Sequence, residues 1–230
     1  MAKKSLDDTT RGPLTLPRTY RVTLTGATPL IMHANDLDWR AQMDTWLLNP
    51  TNKKSSKAGD DRTPAYRWLG ACYHDGHVLG VPSDNLMTML REGGTKVPKS
   101  GNKTWKTETQ TGLVVNEILW PFVPAVPWAP LSELITELDF RRHVDVARDL
   151  GIDLFAKPCK VGTSSHVRVR PRFNTWTIAG TITVLDDTLT RAILQMILDE
   201  AGVRCGLGDW RPSAPKKPGP WGKFVATVED

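Results

Sequence analysis

The chain has 230 residues, 30 Lys and Arg against 25 Asp and Glu, a formal charge of +5 and a pI near 9.2; that length allows one core with a smaller appended lobe, and the basic balance favours a polyanionic partner without establishing one. Three cysteines, Cys72, Cys159 and Cys205, are odd in number and widely spaced, which excludes a disulfide framework or a zinc ribbon and fits a reducing, cytoplasmic setting. No apolar run reaches the roughly 20 residues of a membrane span, and the start MAKKSLDDTTRG lacks the apolar core of a signal peptide, so the expectation is a soluble protein without a membrane partner.

Residues 1–17 are polar, proline-marked and aperiodic, the signature of a flexible N-terminal arm. Tyr20, Val22 and Leu24 then alternate with Arg21, Thr23 and Thr25, which predicts a strand with one buried face. Beyond the break at 26–29, Asp36 is placed to cap a helix in which Trp39, Met43, Trp46 and Leu47 recur at helical spacing until Asn49-Pro50. Residues 50–64, PTNKKSSKAGDDRTP, read as a flexible polar connection. Residues 66–73 and 78–81 flank His74-Asp75-Gly76-His77, a tight-turn signal that predicts a hairpin. Pro82-Ser83-Asp84 opens a helix with Leu86, Met87 and Leu90 on its apolar side, stopped by Gly93-Gly94.

Residues 95–111, TKVPKSGNKTWKTETQT, set Lys96, Lys99, Lys103 and Lys106 around Trp105 with Glu108 as the one acidic residue. A basic, aromatic-bearing excursion suits backbone tracking and base stacking on single-stranded nucleic acid; a solvated loop explains it as well. Residues 113–123 look strand-like, and Pro121, Pro124, Pro127 and Pro130 make a rigid crossing. A short helix is expected over 131–138 and a helical continuation over 145–154. In 161–172, VGTSSHVRVRPR, strand alternation puts Arg168, Arg170 and Arg172 on one side, a row that straddles phosphates or guards a sheet edge.

Residues 174–184 give the clearest strand, with Trp176, Ile178, Ile182 and Val184 on one face and threonines on the other. Asp186-Asp187 is expected to cap a helix over 188–201 with Leu189, Ala192, Ile193, Met196 and Ile197 as its stripe and Gly202 as its C-cap. A glycine- and proline-punctuated loop follows, carrying Arg204, Arg211, Lys216, Lys217 and Lys223 against Asp209 alone, with Gly206, Gly208 and Trp210 among them. Glycines admit close approach of a ligand to the backbone and the cations draw anions, which suggests a phosphate-contacting loop; a solvated loop over packed tryptophans is the plainer alternative. Phe224, Ala226 and Val228 form a last half-buried strand.

Strand, helix, hairpin strands, then strand, helix, strand is the order of an α+β, ferredoxin-like or RRM-like antiparallel sheet with helices on one face, here carrying an inserted basic lobe or thumb. The divisions expected are the arm at 1–17, the first part of the core at 18–94, the insertion and proline-rich crossing at 95–165, and the second part of the core with its glycine-rich loop at 166–230. The outward sheet face is rich in threonine and lacks stacking aromatics, so nucleic acid would be held by loops.

Two stretches resemble the RAMP superfamily of CRISPR effector complexes, and within it the backbone subunit that coats guide RNA. Residues 75–91, DGHVLGVPSDNLMTMLR, resemble the family's hairpin turn, Val-Pro and helix, with Ser83 and Thr88 where the family often has glycine. Gly206-x-Gly208 through Gly219-x-x-Gly222-Lys223-Phe224 is similar to its C-terminal glycine-rich loop. The resemblance implies that 95–111 is the inserted thumb, that guide RNA, copies of the chain in a head-to-tail helical filament and other effector subunits are the partners, and that RNA is bound irrespective of sequence. It requires no cofactor and no metal.

Two enzymatic alternatives rest on the segment after the first strand. His33 stands near the place where similar RNA-processing endoribonucleases carry a general acid/base histidine, and Asp36 or Asp38 could hold a metal for RNA cleavage, although a helix cap explains Asp36 more simply. A third alternative is a free-standing, phage-type single-stranded DNA-binding or annealing protein using the same loops. Residues 94–104 do not fit a phosphate-binding P-loop, and Cys72-x-His74-x-x-His77 lacks a fourth zinc ligand. Cys205, in a basic loop, is a candidate for a lowered pKa without a histidine partner.

Overall fold

A computed structural model describes residues 16–55, 60–161 and 163–230. The expected N-terminal arm thus lies, but for its last two residues, outside the described residues, as do residues 56–59 of the polar connection. In chain order the elements are β1 (Arg18–Gly26), β2 (Leu30–Ile31), α1 (Leu37–Leu48), α2 (Pro50–Ser55), a 3-10 helix (Ala65–Ala71), β3 (Gly80–Pro82), α3 (Ser83–Gly94), β4 (Pro98–Ser100), β5 (Lys103–Thr104), α4 (Lys106–Thr111), β6 (Leu113–Val115) and β7 (Leu119–Pro121). They continue with α5 (Ala129–Ser132), α6 (Phe140–Asp149), β8 (Ile152–Val161), β9 (Ser164–Phe173), β10 (Thr177–Val184), α7 (Arg191–Glu200), a π turn (Ala201–Cys205) and β11 (Phe224–Glu229). The class is α+β with antiparallel sheets.

The principal sheet has the order β11-β1-β10-β6, each neighbouring pair antiparallel, with Val22 opposite both Gly180 and Val228. Period-2 alternation turns Tyr20, Val22, Leu24, Ile178, Ile182, Val184, Phe224, Ala226 and Val228 inward to one core. Leu86, Met89 and Leu90 of α3 and Leu194, Ile197 and Leu198 of α7 close that core. Gly180 interrupts the inward row because the Trp120 indole lies there: a Cβ would stand 2.1 Å from its Nε1. The outer face bears hydroxyls, with Thr19 and Thr183 bonded at 2.9 Å and Asn116 bridging Thr181 and Thr183.

A second sheet, β2-β9-β8, carries the long β8–β9 hairpin. It pairs residues on both sides of 165, where the insertion was expected to end.

Several local expectations are corrected. Residues 65–71 form a 3-10 helix whose Tyr66, Trp68 and Leu69 are buried, so the expected hairpin is cut back to its turn end: Gly76 takes φ 92°, Asp75 accepts the His77 and Val78 amides, His74 bridges antiparallel to Leu79 and the Gly80 amide donates to the Tyr73 carbonyl at 3.2 Å. The connection at 50–64 begins as α2 and ends in a buried Asp61. The strand-like stretch 113–123 is split into β6 and β7, and the helix expected over 131–138 is the single turn α5. The helix placed at 145–154 is α6, ended by Gly151 at φ 75°, and strand β8 starts directly after it.

At the last helix Thr190, not the aspartates, supplies the cap, bonding the Ile193 amide, while Asp186 closes the preceding turn on Thr188. The buried stripe runs through Leu194, Ile197 and Leu198, leaving Met196 51 % exposed. Gly202 is not the C-cap; the chain coils on through the π turn to Gly206. A Cβ at Gly202 would lie 2.2 Å from the Phe224 carbonyl oxygen, so that glycine permits helix-to-strand packing instead. No helix among the described residues is long and apolar enough to cross a membrane.

Candidate functional site

The C-terminal glycine segment folds back onto the corner between β1 and β2. Gly208 (φ 76°) and Gly222 (φ 70°) are left-handed; a Cβ at Gly208 would stand 2.4 Å from the Ile31 carbonyl oxygen, and one at Gly222 only 1.8 Å from that of Leu207. Torsion and space both demand glycine there. The Asp209 amide donates to Ile31 at 2.8 Å, Gly222 to Pro29 at 2.8 Å and Leu207 to Gly222 at 2.9 Å. The glycines expected to admit a ligand therefore admit, first, the protein's own backbone.

This fold-back bounds a cleft of about 280 Å³ lined by residues 206–209, His33, Tyr73, Asn85, Thr88 and Arg211. His33 forms the wall it shares with a second cleft beside α1. The His33 carbonyl accepts the Tyr73 hydroxyl at 2.9 Å; its Nδ1 lies 3.6 Å from an Asp209 carboxylate oxygen and its Nε2 3.2 Å from Nη2 of Arg170. Burial lowers the His33 pKa and the Arg170 guanidinium lowers it further, so the ring is neutral at pH 7. An imidazole that accepts from Arg170 through Nε2 carries its proton on Nδ1, towards Asp209. The nitrogen a general base would use is thus engaged by an arginine.

Asp36 accepts the Asp38 and Trp39 amides at 2.9 and 3.1 Å as the N-cap of α1. Among the described residues no group of three His, Cys, Asp or Glu side chains is arranged to hold a metal ion. Cys205 is buried and its thiol is pushed up to about 11, chiefly by burial and then by Glu92, which reverses the lowering expected from its basic loop.

The arginine row exists, but it is matched by carboxylates. Arg168 and Arg170 each hold an oxygen of Asp61 at 3.0 Å, Arg67 approaches the same carboxylate at 3.5 Å, and Arg172 pairs with Asp153. Asp61 is 3 % exposed, so this charge from the supposed linker is an organising centre. Arg204 pairs with Glu200 at 2.7 Å, and Arg211 is fixed by Glu92 at 3.4 Å and Ser213 at 2.9 Å. Lys216, Lys217 and Lys223 have no carboxylate partner among the described residues, and the first two are exposed.

The lobe at 95–111 is the β4–β5 hairpin followed by α4. Trp105 is only 8 % exposed and sits in the core, with Lys99 Nζ 4.5 Å from its ring centroid and paired to Glu108. It is therefore a root for the lobe, not a free stacking platform. Lys103 and Lys106 are exposed, and Lys96 lies near enough to Cys205 to oppose its pKa rise.

Trp210, half-buried, meets residues that carried no functional expectation from the sequence. Lys157 Nζ lies 3.7 Å from its ring centroid, Phe155 packs edge-on to both Trp210 and Trp221 at 6.1 Å, and the Arg172 guanidinium lies 4.6 Å from Phe155. Phe155 and Lys157 share one face of β8 with Asp153, opposite Arg170, Arg168 and Arg172 in the β9 register. Alternation from Ile152 onward carries that signal, hidden where 145–154 is taken as helix. No protein-family model matches the chain, and comparison with curated proteins returns no match.

Proposed function

We propose that this chain is a sequence-independent, single-stranded nucleic-acid-binding subunit of the RAMP kind, with guide RNA as its polymer and copies of itself and other effector subunits as its neighbours. The antiparallel order β11-β1-β10-β6, with α3 between β1 and β6 and α7 between β10 and β11, supports a ferredoxin-like reading of the core. The observation that carries the binding reading is the meeting of the glycine segment with the β8–β9 hairpin. There two tryptophans and a phenylalanine cluster with Lys157 and Arg172, next to a loop bearing Lys216, Lys217 and Lys223. Aromatic faces and surface cations together hold a single strand without reading its bases, because every base has a π-face and every nucleotide a phosphate.

The test is fluorescence anisotropy on 20-mers of mixed sequence, as RNA and as DNA, over a salt series, with Lys216→Glu/Lys217→Glu and Lys157→Glu. The double variant weakens binding equally on every sequence, and the slope of log K against log salt shrinks by about 0.7 for each phosphate no longer neutralised. Binding indistinguishable from wild type at every salt concentration would falsify the assignment. Preference for DNA over RNA would favour the annealing-protein alternative, since the 2′-hydroxyl is the distinguishing group. Metal-independent RNA cleavage abolished by His33→Ala would favour the endoribonuclease, against which the Arg170 contact at Nε2 argues.

A further inference from the structure

The second cleft, about 270 Å³ between α1, the 3-10 helix and β9, contains an excess of hydrogen-bond donors. Trp39, Gly70, Asp61, Arg67, Arg168 and Arg170 all line it. The Trp39 indole N–H is buried without an acceptor, in a residue only 9 % exposed. Its pyrrole edge lies directly over Gly70, where a Cβ would come within 1.9 Å of Cδ1 and 2.5 Å of Nε1. A buried indole N–H ordinarily finds a partner, but this nitrogen has no accessible surface towards the cleft, so the donors a ligand can reach are the guanidiniums.

The guanidiniums show the same excess. Asp61 accepts from Arg168 Nη1, Arg170 Nη1 and the Val169 amide, and Arg67 faces it through Nε at 3.5 Å. One carboxylate thus orients three arginines while neutralising one of their charges. The Nη groups of Arg67 and the Nη2 of Arg168 make no hydrogen bond to another described residue; Arg40, at the rim, bonds Asn35. Two further carboxylates line the cleft, Asp36, which caps α1, and Asp44, which is exposed on α1, so the cleft keeps a formal excess of positive charge. Donors without acceptors, positive charge, and planar forks fixed in place by a buried carboxylate define a receptor for an acceptor-only anion.

We propose that this cleft binds a phosphate monoester group, its oxygens taking hydrogen bonds from the free Nη groups of Arg67 and Arg168. The group can come from a free nucleoside monophosphate or from the phosphorylated end of an oligonucleotide. This site is separate from the aromatic cluster and does not depend on it.

The experiment is isothermal titration of the full chain with inorganic phosphate, with adenosine 5′-monophosphate, and with a 10-mer bearing either a 5′-phosphate or a 5′-hydroxyl. The variants are Arg67→Gln and Arg168→Gln; circular dichroism checks that both fold. Preference for the phosphorylated 10-mer, or binding of free phosphate or monophosphate, reduced about tenfold or more in both variants, is the expected result. Competition by inorganic phosphate assigns the site to free phosphates, and its absence beside end preference assigns it to oligonucleotide ends. No binding of any phosphate probe by wild type, or binding unchanged in folded Arg67→Gln and Arg168→Gln, overturns the proposal. General binding of the 5′-hydroxyl 10-mer reports on the aromatic cluster alone, so the two readings fail separately.

Discussion

Lys157 and Trp210 join the β8–β9 hairpin to the glycine segment: the ammonium lies 3.7 Å from the indole centroid. A cation over an aromatic face is worth about 0.5–1 kcal/mol at an exposed site, weak enough for an arriving nucleobase to replace it. Trp210→Ala is expected to cost about 1–3 kcal/mol in single-strand affinity on every sequence tested. Amide hydrogen exchange over 206–222 should accelerate in the same variant. Unchanged affinity with faster exchange would leave Trp210 a fastener and remove it from the interface.

Gln195 of α7 acts as a mock strand at the outer edge of β11. Its side-chain oxygen accepts the Val228 amide at 3.1 Å and its amide nitrogen donates to the Ala226 carbonyl at 2.9 Å, while Arg191 Nε donates to the Val228 carbonyl at 3.1 Å. An edge strand so occupied is withheld from pairing with another chain. Gln195→Ala is expected to lower stability by about 1 kcal/mol and to produce concentration-dependent association in sedimentation velocity. If subunits of this chain assemble, the contact lies elsewhere, and wild-type association that Gln195→Ala weakens would contradict that.

His143 is fully buried between two fixed partners. The Trp68 indole donates to Nδ1 at 3.1 Å, and Nε2 lies 3.0 Å from the Glu137 carbonyl, to which it donates. Only the neutral Nε2–H tautomer satisfies both. Burial lowers its pKa against an opposing pull from Glu137. Because the folded pKa is below the unfolded value, about 6.5, the unfolded chain takes up more protons as pH falls. The stability contribution is full above about 6.5 and lost as pH drops through the folded pKa. The expected result is a falling unfolding midpoint from pH 7 to pH 5, with the histidine nitrogen resonances of His143 keeping the Nε2–H pattern. Protonation of His143 over that range would show that the pair with Trp68 does not hold the ring neutral.

The sheet was legible because its strands alternate: the inward residues of β1, β10 and β11 could be assigned from period alone, and Asp36 as the α1 cap followed from its place before Trp39. What escaped had one of two causes. Where a short element is buried on all sides, as with Tyr66, Trp68 and Leu69, the apolar pattern has no period to distinguish strand from 3-10 helix. Where a charge finds a partner far along the chain, local composition misleads: Asp61 sits in a lysine- and aspartate-rich stretch yet meets Arg168 and Arg170 more than a hundred residues on. Trp105 among its lysines misled in the same way, since a root tryptophan and a stacking tryptophan have the same neighbours in sequence.

That distinction makes the lobe a direct test of placement. Trp105 is buried under Lys99, and the Gly94 position faces the Trp105 carbonyl and Thr109 so closely that a Cβ there would come within 2.6 Å of the Thr109 hydroxyl. Trp105→Ala is therefore expected to remove a packed core ring and destabilise the protein by about 3–5 kcal/mol, read as a lower urea midpoint. Its single-strand affinity under conditions where it remains folded should match wild type. Lys103→Glu/Lys106→Glu should do the reverse, leaving the midpoint within about 0.5 kcal/mol of wild type while reducing affinity and the salt slope together. If instead Trp105→Ala folds normally and loses binding, the ring must leave the core to meet the strand, and the lobe is a moving clamp in place of a rigid cationic projection.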